Sequence, residues 1–329
     1  MKYTINLFLL LVCSSFVLAQ ENVNTNKFRQ LGQELPTPNV YRTASGAPGH
    51  EYYQQQADYD MTIELDDETQ RLYGTSTITY HNNAPDELTY LWLQLDQNVR
   101  AKDSDTKAIA TGKMEDKMGT WEMNRMHNDF DGGFKIEYVK DAAGNALPYT
   151  IVKTMMRVDL AKPLKAGAKT SIKLKWWYNI NDRMEIGGRS GYEYFPEDKN
   201  YLYTIAQFFP RMCVYNEVEG WQHKQFLGNG EFTLPFGDYK VDITVPADHI
   251  VGATGFCQNY SQVLTAGQKA KFDEAKNADE PVIIVTQDEA VENEKEGTKD
   301  KKTWTFKATN VRDFAFASSR KFIWDAMGV

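Results

Sequence analysis

Histidines are the residues in this chain best suited to metal binding and general-base catalysis, and they are scattered. The five of them are His50, His81, His127, His223 and His249. A zinc-peptidase helix carries two histidines four residues apart with a glutamate after the first, and no pair here has that spacing. The sequence also lacks a GxSxG nucleophile turn and a phosphate-binding loop. It therefore predicts no catalytic residue and no metal ligand in this chain.

Each of two acidic clusters could be either a cation site or an ordinary loop or turn. On a strand, His127, Asp129 and Asp131 would share one face and suit zinc or a hard cation. The same residues fit a solvated loop before Gly132-Gly133, and this interpretation is preferred. The run 66–68 could bind calcium, but Asp-Asp-Glu between two alternating segments is typical of a turn.

Charge and cysteine content narrow the function classes. The formal net charge is −8, which argues against a nucleic-acid partner, because such partners need a basic surface. Beyond residue 19 the cysteines are Cys213 and Cys257. They could form one disulfide in an oxidising compartment, but the preferred interpretation is two small apolar residues within the fold.

Aromatic and methionine side chains suggest two candidate binding surfaces. The aromatic group is Tyr192, Tyr194, Phe195, Tyr201, Tyr203, Phe208 and Phe209. An exposed group of this kind would suit glycan or peptide, whereas a buried one would pack a sandwich core. Alternation with Thr204 favours the core for Tyr203, while the choice stays open for Phe208 and Phe209. The methionines are Met114, Met118, Met123 and Met126, which suit an adaptable surface or, preferably, loop residues that cover the core.

The elements that must position these residues are predicted to be strands. Apolar and polar residues alternate strictly through 59–65 and again through 72–80, with an acidic turn between them, which predicts a hairpin. Further alternation lies at 134–138, 171–178 and 238–245, and shorter apolar runs at 88–95, 282–285 and 304–306. Many short strands separated by turns predict an all-β antiparallel sandwich.

One short inserted helix is expected within this β-fold. It begins at Thr265, where Thr265 and Gln268 form a capping-box pattern, and runs to about Lys276. Residues 287–302 are predicted to be a charged, solvated loop. Residues 96–133 and 207–237 show no periodicity, and long irregular segments of this kind are often functional.

The first residues have the pattern of an export signal. Lys2 precedes an apolar stretch from Ile5 to Val17, and Val17-Leu18-Ala19 offers a cleavage site before Gln20. A lipoprotein signal at Cys13 is disfavoured because Val12 is bulky. We therefore predict a signal peptide at 1–19, a flexible lead-in at 20–50, the sandwich at 51–320, no membrane span in the mature chain and an exported protein.

Several segments, taken in order, resemble the N-terminal domain of peptidase family M1, the aminopeptidase N type. The hairpin 59–80 is similar to that domain's opening hairpin, and Leu91–Asn98 to the strand that follows it. Ala206–Met212 resembles the segment that reaches the family's active site. Gly252–Gly255 is similar to a later hairpin turn, and Val311–Ser319 to the strand that leads into the catalytic domain. The resemblance covers about residues 55–325.

The resemblance implies a saddle-like β-sandwich followed by a thermolysin-like catalytic domain. That second domain would carry the HExxH zinc site, so residues 321–329 would begin the link to it and this chain would be a fragment. Zinc would serve the full-length enzyme with ligands outside this chain, and this chain alone would bind none and be inactive. The substrate would be a peptide, shortened from its N-terminus.

The resemblance also implies one substrate-binding segment. Gln207 matches the first position of the family's Gln-x-Gln/Glu pattern, whose side chains bind the substrate's α-amine. The second position is Phe209 here, which removes one amine ligand. Gln207 is then expected to line the first substrate pocket, with Phe208 or Phe209 as an apolar wall. The alternatives are a solvated amide at Gln207 and, for the whole chain, a secreted sandwich module that binds glycan or protein.

Overall fold

The computed structural model describes residues 38–106, 117–120, 123, 129–228, 230 and 232–328. The chain divides into two compact units, residues 1–53 and 54–329. In the described part of the first unit, Arg42 and Pro48 form an isolated bridge, and the Tyr41 and Tyr53 rings meet edge to face at 5.7 Å. The predicted signal peptide at 1–19 lies outside the described residues.

The second unit consists mainly of short strands. The first ten are β1 (Gln56–Asp66), β2 (Arg71–His81), β3 (Leu88–Gln94), β4 (Lys135–Asp141), β5 (Tyr149–Val152), β6 (Met155–Leu164), β7 (Lys169–Asn179), β8 (Gly191–Phe195), β9 (Asn200–Ile205) and β10 (Arg211–Met212). The others are β11 (Tyr215–Asn216), β12 (Gly220–Trp221), β13 (Gly237–Pro246), β14 (Ile250–Ala253), β15 (Phe256–Cys257), β16 (Val282–Val285), β17 (Lys301–Val311), β18 (Phe316–Ser319) and β19 (Trp324–Ala326).

These strands build one large sheet and two medium ones. The large sheet has the order β15-β17-β13-β1-β2-β7-β4. The four-stranded sheets are β10-β3-β6-β5 and β14-β18-β9-β8, and β11-β12 and β16-β19 are two-stranded. One face of the large sheet and side chains from both four-stranded sheets contribute to a single buried cluster. The prediction of an all-β sandwich-like fold is confirmed.

The predicted hairpin is β1 and β2, paired in register from Gln56 with His81 to Asp66 with Arg71. Alternate side chains of both strands are buried, as the period-two pattern requires. Asp66 closes the turn by accepting hydrogen bonds from the backbone N–H groups of Glu68 and Thr69. The turn interpretation of the acidic run 66–68 is therefore confirmed.

Two local features differ from the predicted alternation and pairing. Strand β4 contains a bulge between Ile136 and Tyr138, so Val139 is buried and Tyr138 is partly exposed. The large sheet is also not wholly antiparallel. Strand β1 pairs with β13 in parallel, with Tyr59 opposite Tyr239.

Helices α1 (Tyr260–Val263), α2 (Ala266–Ala275) and α3 (Gln287–Lys295) lie between β15 and β17. The capping box at the start of α2 forms as predicted, between Thr265 and Gln268. The prediction of a solvated loop at 287–302 and of a single inserted helix is wrong, because α3 occupies most of that segment. Its own capping box joins Thr286 and Glu289. No helix among the described residues is long and apolar enough to cross a membrane.

Gly74 lies where two strands of the large sheet come closest to a large side chain. A methyl group on Gly74 would lie 2.4 Å from Cζ2 of Trp176, which is fully buried. We expect Gly74→Ala to lower the free energy of unfolding by about 1–3 kcal/mol, the usual cost of overpacking a filled core. Urea titration followed by tryptophan fluorescence measures the change.

Gly252 in β14 supplies the matched control for this substitution. A methyl group there meets no atom within 4 Å. Gly252→Ala is expected to leave stability unchanged or to raise it by up to about 1 kcal/mol, through the lower entropy of the unfolded chain. Equal losses in the two variants would show that the contact with Trp176 is not the cause.

Candidate functional site

Three segments that are far apart in sequence meet at a buried ion cluster. The guanidinium of Arg211 donates through Nε and Nη2 to the two carboxylate oxygens of Asp96, at 2.9 and 2.8 Å. Its Nη1 donates to Asp313 at 2.6 Å. The side chains of Arg211 and Asp96 are 7% and 0% exposed, whereas that of Asp313 is 41% exposed. We call Asp96, Arg211 and Asp313 the ion triad.

The fold explains why the triad assembles. Asp96 begins a 3-10 turn (Asp96–Arg100) directly after β3, and Arg211 lies in β10, opposite Gln94 of β3. Asp313 follows β17. Burial alone would lower the pKa of Arg211, but Asp96 and Asp313 outweigh burial and raise it. Arg211 therefore stays charged, and the triad acts as a fixed tie between three segments.

Gln97 connects the 3-10 turn to the predicted substrate-binding segment. Its Nε2 donates to the carbonyl oxygens of Ala206 and Gln207, at 3.3 and 3.0 Å. Its Oε1 accepts from Nη1 of Arg100 at 3.1 Å. Gln97 is 2% exposed, and the hydrogen bonds of its buried amide link the Arg100 side chain to the Gln207 backbone.

Segment 206–212 is held along its length by side chains of other strands. Ser190 Oγ donates to the carbonyl of Ala206 and accepts from its N–H, both at 3.1 Å. Trp176 Nε1 donates to the Phe208 carbonyl at 3.1 Å. Gln207 itself has a φ of +54°, a left-handed conformation that costs energy in a residue with a side chain. The surrounding bonds hold the backbone in this conformation.

A cleft of about 2040 Å³ lies against the triad and Gln207. Asp96, Arg100, Gln207, Arg211 and Asp313 all line it, with Ser190 beside them. Phe226, Phe232 and Leu234 add an apolar part to the wall. At about 2040 Å³ the cleft is larger than the roughly 300–1,000 Å³ that is typical of small-molecule pockets, so it can hold a more extended ligand.

The structure places the three predicted substrate-binding residues in different environments. Gln207 is partly exposed on the cleft. Phe208 and Phe209 are both 0% exposed and pack in the core, where Phe209 meets Tyr59 and Phe208 meets Phe316. In this structure both rings belong to the core next to Gln207. A role for either ring as a pocket wall stays a prediction.

The other candidate residues do not join this site as a group. His127 lies outside the described residues, so the metal interpretation of His127, Asp129 and Asp131 stays open. Asp131 pairs with Lys135 at 2.8 Å, and Asp129 lines the cleft. Among the described residues, no group of three or more His, Cys, Asp or Glu side chains is placed to hold a metal ion.

The cysteines and most of the aromatic group serve the fold. Cys213 is buried and Cys257 half-buried, and both are free thiols. Tyr203 is fully buried, as predicted. Tyr192, Tyr194 and Tyr201 form a ring cluster, of which Tyr194 is the most exposed member, at 40%.

The methionine run is described only in part. Met114 and Met126 lie outside the described residues. Met118 is half-buried and Met123 is exposed. The interpretation of this run as a binding surface or as a cover for the core therefore stays open.

Sequence reasoning missed Arg100, and it missed the triad although a signal for the triad was present. Asp96, Arg211 and Asp313 each lie in one of the segments that resemble family M1. Local spacing does not reveal which arginine meets which aspartate, because 115 and 102 residues separate Arg211 from its two partners.

Comparison with known proteins gives matches among solved structures only. No family model matches the chain. No curated protein matches it either. Three crystal structures of an M1 zinc metallopeptidase from Deinococcus radiodurans are similar over about four fifths of the chain. A variant bound to a Tyr-Ser-Ala substrate gives 14% identity and a TM-score of 0.41, over 81% of this chain and 42% of that one.

The other two structures give similar values. The same variant without that substrate gives 13% and 0.40, over 83% and 44% of the two chains. The enzyme not described as a mutant gives 13% and 0.39, over 81% and 42%. This chain spans less than half the length of these structures. With TM-scores below 0.5, the likeness assigns neither activity nor substrate to the chain.

Proposed function

We propose that this chain is the N-terminal domain of an M1-type zinc aminopeptidase and forms one wall of its peptide-binding cleft. The observation that supports the proposal is the convergence of three M1-like segments at one place. Leu91–Asn98, Ala206–Met212 and Val311–Ser319 supply the ion triad, the Gln97 bridge and Gln207. All three segments contribute residues to the same cleft.

The chemistry of this chain's own residues is binding and positioning. The Gln207 amide can donate to a peptide carbonyl and accept from an α-amine. The triad and Gln97 fix the backbone that carries it, which lowers the entropy lost when a substrate is ordered. The described residues do not provide a donor set that fits zinc, so no zinc-dependent step is assigned to them. The proposal assigns zinc and its ligands to the catalytic domain of the whole enzyme.

Substitution of Gln207 tests the proposed wall in the full-length enzyme. We expect Gln207→Ala to raise KM for amino-acid arylamides by roughly 3- to 10-fold with little change in kcat. This is the loss expected for one neutral hydrogen bond made equally in the ground and transition states. Steady-state kinetics at saturating and limiting substrate measure both constants.

The control for this kinetic test is Gln287→Ala. Gln287 is exposed at the start of α3 and does not line the cleft. A change in KM in both variants, or in neither, would contradict a specific role for Gln207. A normal melting temperature for Gln207→Ala is required in either case, because it excludes partial unfolding as the cause.

The domain assignment has a direct test in the coding sequence. Family resemblance leads us to expect a His-Glu-x-x-His segment on the carboxyl side of Val329. A second sandwich domain there, without that segment, would favour a secreted module that binds glycan or protein. We further propose export of the protein, and N-terminal sequencing of the mature form should then begin at Gln20.

A further inference from the structure

Arg100 is a charged side chain on the cleft that differs from Arg211 in its partners. Among the described residues its guanidinium has one hydrogen bond, from Nη1 to the neutral amide of Gln97. No carboxylate in the described part of the chain pairs with it, whereas two carboxylates neutralise Arg211. Burial lowers the pKa of Arg100, which reflects the free energy needed to keep its charge away from water.

Two glycines also lie close to Arg100. Gly188 has a φ of +100°, and a methyl group there would lie 2.4 Å from Nη2 of Arg100. A methyl group on Gly132 would lie 2.5 Å from the Arg100 carbonyl oxygen. The backbone of Arg100 is thus packed closely against Gly132, and Gly188 lies beside its guanidinium. A guanidinium that is already restrained by the Gln97 amide loses less entropy when it binds a ligand.

The unused donors of Arg100 suit one chemical group. A guanidinium has five N–H donors, and its fork matches the two oxygens of a carboxylate. Acidic residues such as Asp129, Asp182 and Glu185 line the cleft together with basic residues such as Lys102 and Arg189, so the cleft as a whole does not have the strongly basic lining that a doubly charged phosphate would favour. We propose that Arg100 binds a carboxylate of a peptide held in the cleft, an inference that rests on the proposed peptide-binding function.

The Gln97 bridge indicates where this carboxylate lies in the peptide. One amide group joins Arg100 to the backbone of Gln207, so the two side chains emerge close together on the cleft. A peptide whose N-terminal residue contacts Gln207 then brings its first or second residue to Arg100. The carboxylate belongs either to an acidic side chain at these positions or to the C-terminus of a dipeptide.

Isothermal titration of the 329-residue chain with three probe peptides tests the inference. The probes are Glu-Ala-Ala-amide, its isostere Gln-Ala-Ala-amide, and the dipeptide Gln-Ala with a free C-terminus. We expect one or both carboxylate-bearing probes to bind roughly 10- to 100-fold more tightly than Gln-Ala-Ala-amide, as charge-assisted hydrogen bonds require. The tighter probe identifies the source of the carboxylate.

Two variants test whether Arg100 causes the preference for a carboxylate-bearing probe. Arg100→Gln should reduce the preference to about 1-fold while Gln-Ala-Ala-amide binds within about threefold of its original affinity. Arg100→Lys keeps the positive charge but not the forked pair of N–H donors, so it should retain part of the preference for a carboxylate. If Arg100→Gln fails to fold, the result for Arg100→Lys replaces it in the test. The control is Arg312→Gln, an exposed arginine on the same cleft that lies over the Phe236 ring.

Each unfavourable outcome contradicts a different part of the proposal. If all three probes bind equally to the unaltered chain, the carboxylate site is wrong and the peptide cleft stands. If Arg312→Gln removes the preference as fully as Arg100→Gln, the cause is the general field of the cleft and the inference is overturned. If none of the probes binds, the proposed peptide-binding function fails and the inference fails with it.

Discussion

Replacement of Arg211 by methionine is expected to lower the free energy of unfolding by about 3–5 kcal/mol. The substitution keeps most of the side-chain volume but leaves Asp96, which is fully buried, as a charge without its partner. It also removes the tie between Arg211 and the 3-10 turn, while the Gln97 bonds to the Ala206 and Gln207 carbonyls remain. Urea unfolding monitored by circular dichroism measures the loss.

Two further variants separate the buried charge from lost packing. Asp313→Asn should cost only about 1 kcal/mol or less, because the Asp313 carboxylate is 41% exposed and water can replace the arginine. The double variant Asp96→Leu with Arg211→Met should lose much less than the sum of the single changes, because no buried charge remains. Additive losses in that double variant would contradict the electrostatic explanation.

Acidification is expected to destabilise the protein through His249. This ring is fully buried, its Nδ1 lies 2.9 Å from Ser318 Oγ, and burial together with the charges of Arg320 and Lys302 lowers its pKa to about 3. An unfolded chain would protonate His249 near pH 6.5, so between these values the unfolded state binds more protons than the folded one. The free energy of unfolding therefore falls as the pH falls below about 6.5.

The size of this effect follows from the same pKa difference. Well below pH 6.5, His249 should remove about 1.4 kcal/mol for each pH unit, which amounts to about 2.5 kcal/mol between neutral pH and about pH 4.5. The measurement is the difference in unfolding free energy between the unaltered protein and His249→Phe across this range. Loss of the Ser318 contact shifts the variant equally at every pH, whereas the titration changes the slope. Parallel curves for the two proteins would exclude His249 as the titrating group.

The sequence predicted those parts of the fold that local alternation encodes. The β1–β2 hairpin, β7 and β13 have one buried face each, and a strict period of two suffices to identify them. The bulge at Ile136 was invisible, because an extra residue changes which side chains face inward without changing composition. Helix α3 was missed because its charged surface dominated, although Thr286 and Glu289 carried a capping signal.

Long-range partners set the limit of prediction at the site. Gln207 was identified by resemblance, but the bond from Gln97 to its carbonyl joins residues 110 positions apart, and its left-handed backbone is held by bonds from several distant segments. Arg100 carried no sequence signal, since its special feature is the absence of a carboxylate partner among the described residues. Such a feature becomes visible only when the surrounding segments are in place.

The parallel pairing of β1 with β13 bears on how the chain acquires its structure during synthesis. The paired residues are 180 positions apart, so one edge of β1 has no partner until the ribosome has delivered β13. Up to that moment the nascent β1–β2 hairpin carries an open edge with an apolar face, the form of strand that most readily associates with a second molecule. Arrival of β13 closes that edge, and the sheet is then extended on the far side of β13 by β17, which comes later still in the chain.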